Sequence, residues 1–229
     1  QVEHPVTEEI TGIDLVKEMI NIAEEQKLSL SEESIKMNGW AVEARLCSED
    51  PIKNFLPSAG KINRMNFSNN IRIDSGYKEG NIVSIYYDSL LAKVISKGKN
   101  RNEAIQKIIH GLEEVNIQGI KTNQDFLINI LQTKEFYEAK IDTNFISSYY
   151  KDGYNGKTTD LNKLEIMAIT ALSNNLKYLK EVNYDFNKIS KKWILVFDKN
   201  RLDFNLIKIN LVELVLEKKG KIFRVELLV

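Results

Sequence analysis

The chain has 229 residues, of which 43% are hydrophobic and 28% charged, so it can form one or two globular domains and is not expected to be disordered. Its 32 Lys and Arg residues balance its 32 Asp and Glu residues, which gives no electrostatic reason to expect nucleic acid or an anionic membrane as a partner. The single cysteine, Cys47, excludes an internal disulfide, and no apolar run approaches the ~20 residues of a membrane span, so the composition favours an intracellular protein.

The N-terminal stretch QVEHPVTEEITG brings a glutamate and a histidine next to a proline. The simplest interpretation of Glu3, His4 and Pro5 is a turn that leads into a helix, because surface loops commonly carry such polar residues. An amphipathic helix is predicted over 13–23, where Asp14 near the start suits the positive end of the helix dipole. The apolar face of this helix consists of Val16, Met19, Ile20 and Ala23.

The run GWAVEARLC alternates between apolar and polar positions and predicts a β-strand. Successive side chains of a strand point to opposite faces, so Glu43, Arg45 and Cys47 must share one face. An outward-facing arginine on a strand is ordinarily solvated or paired with the residue two positions before it, here Glu43. The other face would carry Trp40, Val42, Ala44 and Leu46.

Three strands and then two helices are predicted over the next stretch of the chain. The strands are expected over 61–67, 71–75 and 86–96. Asn100 and Glu103 resemble a capping box that opens a helix, and Gly119 is expected to end it. The apolar stripe of this helix is Ile105, Ile108, Ile109 and Leu112. A further helix is expected after Thr122, with an apolar face of Phe126, Leu127, Ile130 and Leu131.

The composition changes near residue 150, where YYKDGYNGKTT (149–159) collects glycines, lysines and threonines and predicts a linker. A helix is predicted over 161–180, apolar on more than one side and with Leu172 near an exposed end. Antiparallel strands follow in WILVFD, FNLIKINLVELVLE and KIFRVELLV, with turns at Lys199-Asn200 and Lys219-Gly220. We therefore expect an α+β fold: an antiparallel sheet with helices, then a helix with further antiparallel strands. The last strand reaches the C-terminus, so this second sheet is expected to be incomplete.

Few residue patterns in the chain indicate a catalytic or ligand-binding site. The two histidines, His4 and His110, are far apart and the cysteine is single, so no metal-ligand spacing stands out. Phosphate-binding loops of the GxxxxGK and GxGxxG types are absent from the sequence, as is a serine-nucleophile elbow. Gln1, Glu3, His4 and Arg45 remain as candidates, and the residues alone indicate only a mixed α/β module.

Five motifs, in this order, resemble the C-terminal region of biotin carboxylase, an ATP-grasp enzyme family: QVEHPVTEEITGIDLVKEMI, EARLCSEDPIKNFLPSAGKI, RIDSGYKEG, YYDSLLAKVI and GIKTNQDFL. The resemblance covers about 1–147. The family motif commonly runs ENxRxQVEHPVTE, so the chain starts inside it, and the resemblance implies that the family's metal-binding residues, bicarbonate-binding lysine and glycine-rich lid lie upstream. The resemblance therefore predicts that the 229 residues alone are inactive.

The chain also resembles the α subunits of propionyl-CoA carboxylases, through VSIYYD (83–88) and through the DGYNG segment (152–156) with the helix and strands that follow it. In that family a helix and an antiparallel β-barrel link the carboxylase to a biotin carrier domain, which implies three parts: a carboxylase C-terminal subdomain (1–148), a linker (149–160) and a linking module with a partial β-barrel (161–229). Alternatives are a methylcrotonyl-CoA, acetyl-CoA or pyruvate carboxylase, or a module for subunit interaction without catalysis.

The resemblance implies roles for particular residues. Glu3 matches the general base that deprotonates bicarbonate, and Gln1 and Val2 match positions that hold bicarbonate, through a side chain and a backbone group respectively. Arg45 matches the residue that stabilises negative charge on the ureido oxygen of biotin. His4 is expected to be a loop residue that orients Glu3 or Pro5.

Three further residues are weaker candidates. Phe55 is a candidate for the biotin pocket, and a core aromatic is an equally good interpretation. Tyr87 and Asp88 are candidates for supporting the residues that touch substrate, and a turn at the edge of a strand explains them as well.

The resemblance also implies what lies beyond the chain. Biotin would sit on a carrier domain outside it, and ATP with Mg²⁺ or Mn²⁺ would bind elsewhere in the enzyme, with no metal site in these residues. The implied partners are a carboxyltransferase β subunit and the carrier domain of the same polypeptide, in a hetero-oligomer. The implied location is the bacterial cytoplasm or the mitochondrial matrix.

Overall fold

A computed structural model describes residues 4–28, 30–156, 161–182, 185, 188–197, 200–209 and 213–226. The chain divides into two compact units, Gln1–Lys157 and Thr158–Val229, each with a hydrophobic core of its own. Three of the predicted site residues, Gln1, Val2 and Glu3, lie outside the described residues, and so do 157–160 of the predicted linker and Lys199 of a predicted turn.

The described part of the first unit is a mixture of helices and short strands. Its helices are α1 (His4–Thr11), α2 (Leu15–Ala23), α3 (Arg101–Glu113), α4 (Gln124–Leu131), α5 (Lys134–Tyr137) and α6 (Phe145–Tyr149). Its strands are β1 (Trp40–Cys47), β2 (Glu49–Asp50), β3 (Leu56–Pro57), β4 (Gly60–Lys61), β5 (Arg64–Asn66), β6 (Arg72–Ser75), β7 (Ile82–Val83), β8 (Leu90–Gly98) and β9 (Asn116–Gln118).

The main sheet of the first unit has the antiparallel strand order β1-β8-β6. The predicted alternation of β1 is confirmed: Ala44 and Leu46 are buried and pack with Val94 of β8 against α3, while Val42 is partly buried beside them. Trp40, predicted on the same face, is 53% exposed, because it lies at the first position of the strand and beyond the core.

Helix α3 begins where its capping residues predict. The Asn100 side chain accepts a hydrogen bond from the Glu103 N–H at 2.9 Å, and the Glu103 carboxylate accepts one from the Lys99 N–H at 2.9 Å. The prediction that Gly119 ends this helix is wrong. The helix ends at Glu113, and Gly119 follows β9 with a φ of 101°, so its left-handed backbone serves the turn after that strand.

Helix α1 was not predicted. His4, expected in a loop, is instead its first residue, and Pro5 is buried at its second position, where proline fits because the missing N–H has no partner within a helix. The predicted helix over 13–23 is α2, with Asp14 accepting a hydrogen bond from the Lys17 N–H at 2.8 Å. In the described part of the chain its apolar face stays exposed, at Val16, Met19 and Ile20.

The second unit packs one helix across a sheet. Helix α7 (Leu161–Glu181) is followed by β10 (Lys192–Phe197), β11 (Asn200–Ile209), β12 (Glu213–Lys218) and β13 (Lys221–Glu226), which pair antiparallel in chain order. The described residues form an open sheet rather than a closed barrel. Their core contains Leu164, Ala168, Ile169, Leu172, Leu176, Leu202, Phe204, Leu214 and Leu216.

The buried face of α7 differs in part from the prediction. Leu172, expected near an exposed end of the helix, is only 2% exposed, whereas Ile166 is 64% exposed. Leu164, Ala168, Leu172 and Leu176 are four residues apart, so one stripe of the helix meets the sheet. Lys218 lies 2.6 Å from Glu165, and this contact lowers the pKa of the Glu165 carboxyl. Within the described residues, no helix has the length and apolar character needed to cross a membrane.

Candidate functional site

Arg45 lies on the face of the main sheet opposite to the helix-covered core. Its neighbours in sequence, Ala44 and Leu46, point into the core, so the Arg45 side chain points the other way and is exposed. On β8 the residue directly opposite Arg45 is Lys93, and on β6 the residue opposite Lys93 is Asp74. The register therefore places two cations and one anion in a row across one face of the sheet.

A buried carboxylate lies one step along this face. Glu43, two residues before Arg45, has a side chain only 7% exposed, and its Oε1 is 3.9 Å from Nζ of Lys93. Charges that are partly withdrawn from water interact more strongly than exposed ones. Glu43 therefore balances part of the positive charge that Arg45 and Lys93 bring to this face.

Helix α1 is held on the same side of the sheet by Arg72 of β6. The Arg72 guanidinium contacts Asp74 at 2.8 Å, Glu8 at 2.6 Å and Glu9 at 3.3 Å. The hydrogen bond to Asp74, followed by that to Glu8, raises the pKa of Arg72. Helix α1 also packs against β1 and β8. These contacts fix the helix that directly follows the predicted base Glu3 in the sequence.

Cys47 is the last residue of β1 and shares the face of Arg45. Partial burial raises the pKa of the Cys47 thiol, and the carboxylate of Glu49 acts in the same direction. The thiol is therefore protonated at neutral pH. Among the described residues, no three His, Cys, Asp or Glu side chains are grouped to hold a metal ion.

Phe55 lies in a loop with unusual backbone geometry. Asn54 and Phe55 both have left-handed conformations, with φ of 52° and 58°. The Phe55 ring is partly buried and meets the ring of Phe126 edge-on at 4.8 Å. These contacts show that Phe55 packs against another aromatic ring. A role for Phe55 in binding biotin stays a prediction.

The first half of the predicted linker packs on the same aromatic cluster. The rings of Tyr150 and Tyr154 both lie 5.2 Å from that of Phe126, and Tyr154 is only 7% exposed. Burial raises the pKa of Tyr150 to about 12. Residues up to at least Tyr154 therefore belong structurally to the first unit.

Tyr87 and Asp88 lie in the exposed turn before β8. Tyr87 is 79% exposed, and the Asp88 carboxylate accepts a hydrogen bond from the Leu90 N–H at 2.8 Å. The contact of Asp88 is that of a residue ending a turn. A supporting role for either residue stays a prediction.

Sequence reasoning assigned no role to Asn123, which the structure places directly on β1. Asn123 is 7% exposed, and its amide hydrogen-bonds backbone groups of both Arg45 and Cys47. These partners are distant in the sequence, so local patterns gave no signal for the contact.

Two family models match the chain. The biotin carboxylase C-terminal domain matches residues 43–148, and the ATP-binding domain of the carbamoyl-phosphate synthase L chain matches residues 1–31.

Named relatives and solved structures agree with these matches. The mitochondrial propionyl-CoA carboxylase alpha chain of Sus scrofa is 41% identical over 176 residues, covering 75% of this chain and 24% of the relative. The mitochondrial methylcrotonoyl-CoA carboxylase subunit alpha of Rattus norvegicus is 41% identical over 155 residues, covering 66% of this chain and 22% of the relative. The chain thus spans about a quarter of the length of these curated relatives.

The fold is similar to that of a solved biotin carboxylase domain, from the 2-oxoglutarate carboxylase of Hydrogenobacter thermophilus in complex with MgADP, ADP and bicarbonate. The two share 40% identity and a TM-score of 0.62, over 65% of this chain and 33% of the other.

Proposed function

Residues 43–148 belong to the biotin carboxylase C-terminal domain family, and we propose that the chain is part of the biotin carboxylase subunit of a propionyl-CoA carboxylase. One observation carries the choice of enzyme. The match to the pig propionyl-CoA carboxylase covers 75% of the chain. The first unit contains 157 of the 229 residues, which is a smaller share of the chain. The match therefore extends into the second unit. The methylcrotonoyl-CoA carboxylase match, at 66% of the chain, is shorter than the first unit.

A second candidate is the corresponding part of a methylcrotonyl-CoA carboxylase, because that relative is equally identical, at 41%, over the part it covers. Acetyl-CoA and pyruvate carboxylases stay alternatives, since the family of residues 43–148 is that of the biotin carboxylase domain and does not specify one acceptor. A module for subunit interaction without catalysis is the alternative of a different class, and the position of Arg45 on a charged face argues against it.

The proposed chemistry assigns one step to Glu3 and another to Arg45. Biotin, on its carrier domain, supplies a ureido nitrogen that accepts the carboxyl group, and ATP with Mg²⁺ or Mn²⁺ activates bicarbonate elsewhere in the enzyme. Glu3 would take the proton of bicarbonate, which is a poor nucleophile until it is deprotonated, while Gln1 and Val2 hold it. The Arg45 guanidinium would face the negative charge that develops on the ureido oxygen, and its forked donors suit an oxygen acceptor.

The charged face of the sheet fits this assignment. Arg45 is exposed, whereas Lys93 opposite it is only 16% exposed and lies 3.9 Å from Glu43, so an approaching anionic oxygen meets the Arg45 guanidinium first. Such preorganised charges stabilise a developing negative charge without reorganising during the reaction. The proposed location is the bacterial cytoplasm or the mitochondrial matrix, and the pig relative is named as mitochondrial.

The function is tested with the full-length subunit and its carboxyltransferase partner, assayed with propionyl-, methylcrotonyl- and acetyl-CoA and with pyruvate. We expect the fastest carboxylation with propionyl-CoA, and a preference for methylcrotonyl-CoA would favour the second candidate. The 229-residue chain alone is expected to cleave no ATP above a buffer blank, because its sequence contains no glycine-rich phosphate loop. Bicarbonate-dependent ATP cleavage by these residues alone would contradict the proposal.

We further propose that the second unit docks onto the carboxyltransferase β subunit and does no chemistry. Its helix α7 leaves Ile166 and Met167 exposed at 64% and 50% in the part of the unit that is described. Ile166→Asp should weaken assembly of the two subunits about tenfold or more, because a carboxylate buried at an interface is costly, while carboxylation of free biotin is retained. Size-exclusion chromatography of the mixed subunits measures the assembly.

Asn174→Asp is the matched control for Ile166→Asp, because it places the same charge at an exposed polar position of α7. Leu172 does not suit this test, since a charge at a side chain only 2% exposed would disrupt the core of the unit. Unchanged assembly with lost biotin carboxylation would assign chemistry to the second unit and contradict the docking role.

A further inference from the structure

Asn123 makes three hydrogen bonds to the same short stretch of β1. Its Nδ2 donates to the Arg45 carbonyl at 3.1 Å, and its Oδ1 accepts from the Cys47 N–H at 2.9 Å. Its own backbone N–H donates to the Cys47 carbonyl at 3.1 Å. A single residue therefore occupies three backbone groups of β1, on the two residues that flank Leu46.

These hydrogen bonds lie on an edge strand, next to a shift in its pairing with β8. Among the described residues the strand is at one edge of the order β1-β8-β6, so one side of its backbone lacks a neighbouring strand within this sheet. Its pairing with β8 also shifts register between Leu46 and Cys47, where Leu91 of β8 is skipped, and this marks a bulge in β8 that faces the residues just after Arg45. A bulge re-aims the side chains around it and interrupts the ladder of hydrogen bonds. The amide of Asn123 supplies a donor and an acceptor there, as an adjacent strand would.

The position of Asn123 before α4 supports a specific role. It occupies the N-cap of α4, where an asparagine side chain ordinarily accepts a hydrogen bond from the first turn of the helix. Here the side chain makes no capping bond, and its oxygen bonds to Cys47 instead. The neighbouring residue, Gln124, uses its amide differently: it donates to the carbonyls of Leu112 and Val115 at 2.7 and 3.1 Å, at the end of α3.

We propose that Asn123 is a positioning residue for Arg45, which fixes the backbone of β1 beside the bulge and thereby the direction of the guanidinium. The proposal rests on the function proposed for Arg45 and deepens it. A catalytic group that is displaced by about 1 Å can lose on the order of 10²-fold in rate. Because Arg45 is exposed next to the bulge, the direction of its side chain depends on the backbone of β1, and Asn123 bonds to Arg45 before the shift in register and to Cys47 after it.

The test is Asn123→Ala in the full-length subunit, with free biotin as the acceptor. We expect the ratio of biotin carboxylation to biotin-independent ATP cleavage to fall about tenfold or more, mainly through kcat rather than the KM for biotin, since the aim of Arg45 matters in the transition state. When Asn123→Ala is combined with Arg45→Ala, the loss should not exceed that of Arg45→Ala alone, because both changes remove one function.

Gln124→Ala is the matched control. It removes an amide of the same kind, bound to two backbone carbonyls, from the adjacent residue, and it should leave the ratio within twofold of wild type. If Asn123→Ala and Gln124→Ala change the ratio equally, Asn123 is only structural and the proposal is wrong. Additive losses in the double variant with Arg45→Ala would overturn it as well.

Asn123→Asp keeps the proposal testable if Asn123→Ala fails to fold. It retains the acceptor for the Cys47 N–H but loses the donor to the Arg45 carbonyl, so the ratio should still fall, and a wild-type ratio would overturn the proposal. Failure of the function proposed for Arg45 can be distinguished from failure of the positioning role proposed for Asn123. A wild-type rate for Arg45→Ala would reject the function of Arg45 itself, whereas a defective Arg45→Ala with unaffected Asn123 variants would reject only the positioning role.

Discussion

Glu3→Gln in the full-length subunit should reduce bicarbonate-dependent ATP cleavage by about 10²- to 10⁴-fold, the range that a general base ordinarily contributes. The amide has nearly the shape of the carboxylate but cannot accept the proton of bicarbonate, so binding would survive while the nucleophile is no longer generated. The rate of phosphate release at saturating bicarbonate measures the effect.

Glu9→Gln is the matched control for this change. It removes the same charge six residues further along, in α1, where Glu9 contacts Arg72 at 3.3 Å and is one of three carboxylates that do so. Asp74 and Glu8 would continue to hold Arg72, so the control should retain most of the activity. A wild-type rate for Glu3→Gln would mean that another group deprotonates bicarbonate.

The parts of the fold that local chemistry specifies were predictable. The alternation of GWAVEARLC identified β1 and placed Arg45 and Ala44 on opposite faces, and Asn100 with Glu103 identified the start of α3. Helix α1 was missed because Glu3, His4 and Pro5 suit a turn as well as a helix start, and only the packing of α1 on β1 and β8 decides between them.

Long-range contacts limited the prediction of buried faces and of the site. Helix α7 carries apolar residues on more than one side, so its period alone did not show that Leu172 is buried and Ile166 exposed. Asn123 is separated from Arg45 by 78 residues and from Cys47 by 76, and its bonds depend on where α4 begins relative to β1. Glu43 likewise meets Lys93 only through the register of two strands.

Arg45→Ala in the full-length subunit should lower the kcat for carboxylation of free biotin by about 10²-fold or more, the usual loss on removing one donor to a developing oxyanion. A large loss is expected because no other cation of the described sheet holds the same position as Arg45. Lys93 lies opposite Arg45 on β8, but its Nζ is 3.9 Å from the Glu43 carboxylate. Single-turnover carboxylation of biotin separates this loss from effects on ATP binding.

Two further variants make the Arg45 prediction specific. Arg45→Lys keeps the charge but replaces a planar fork with a compact ammonium, so it should recover only part of the lost rate. Arg64→Ala removes an exposed arginine from β5 and should leave biotin carboxylation unchanged. If Arg45→Lys restores the full rate, charge alone is sufficient and the forked geometry is unnecessary. If Arg45→Ala itself carboxylates biotin at the wild-type rate, the charged face of this sheet is not where biotin reacts, and the assignment fails for the whole face.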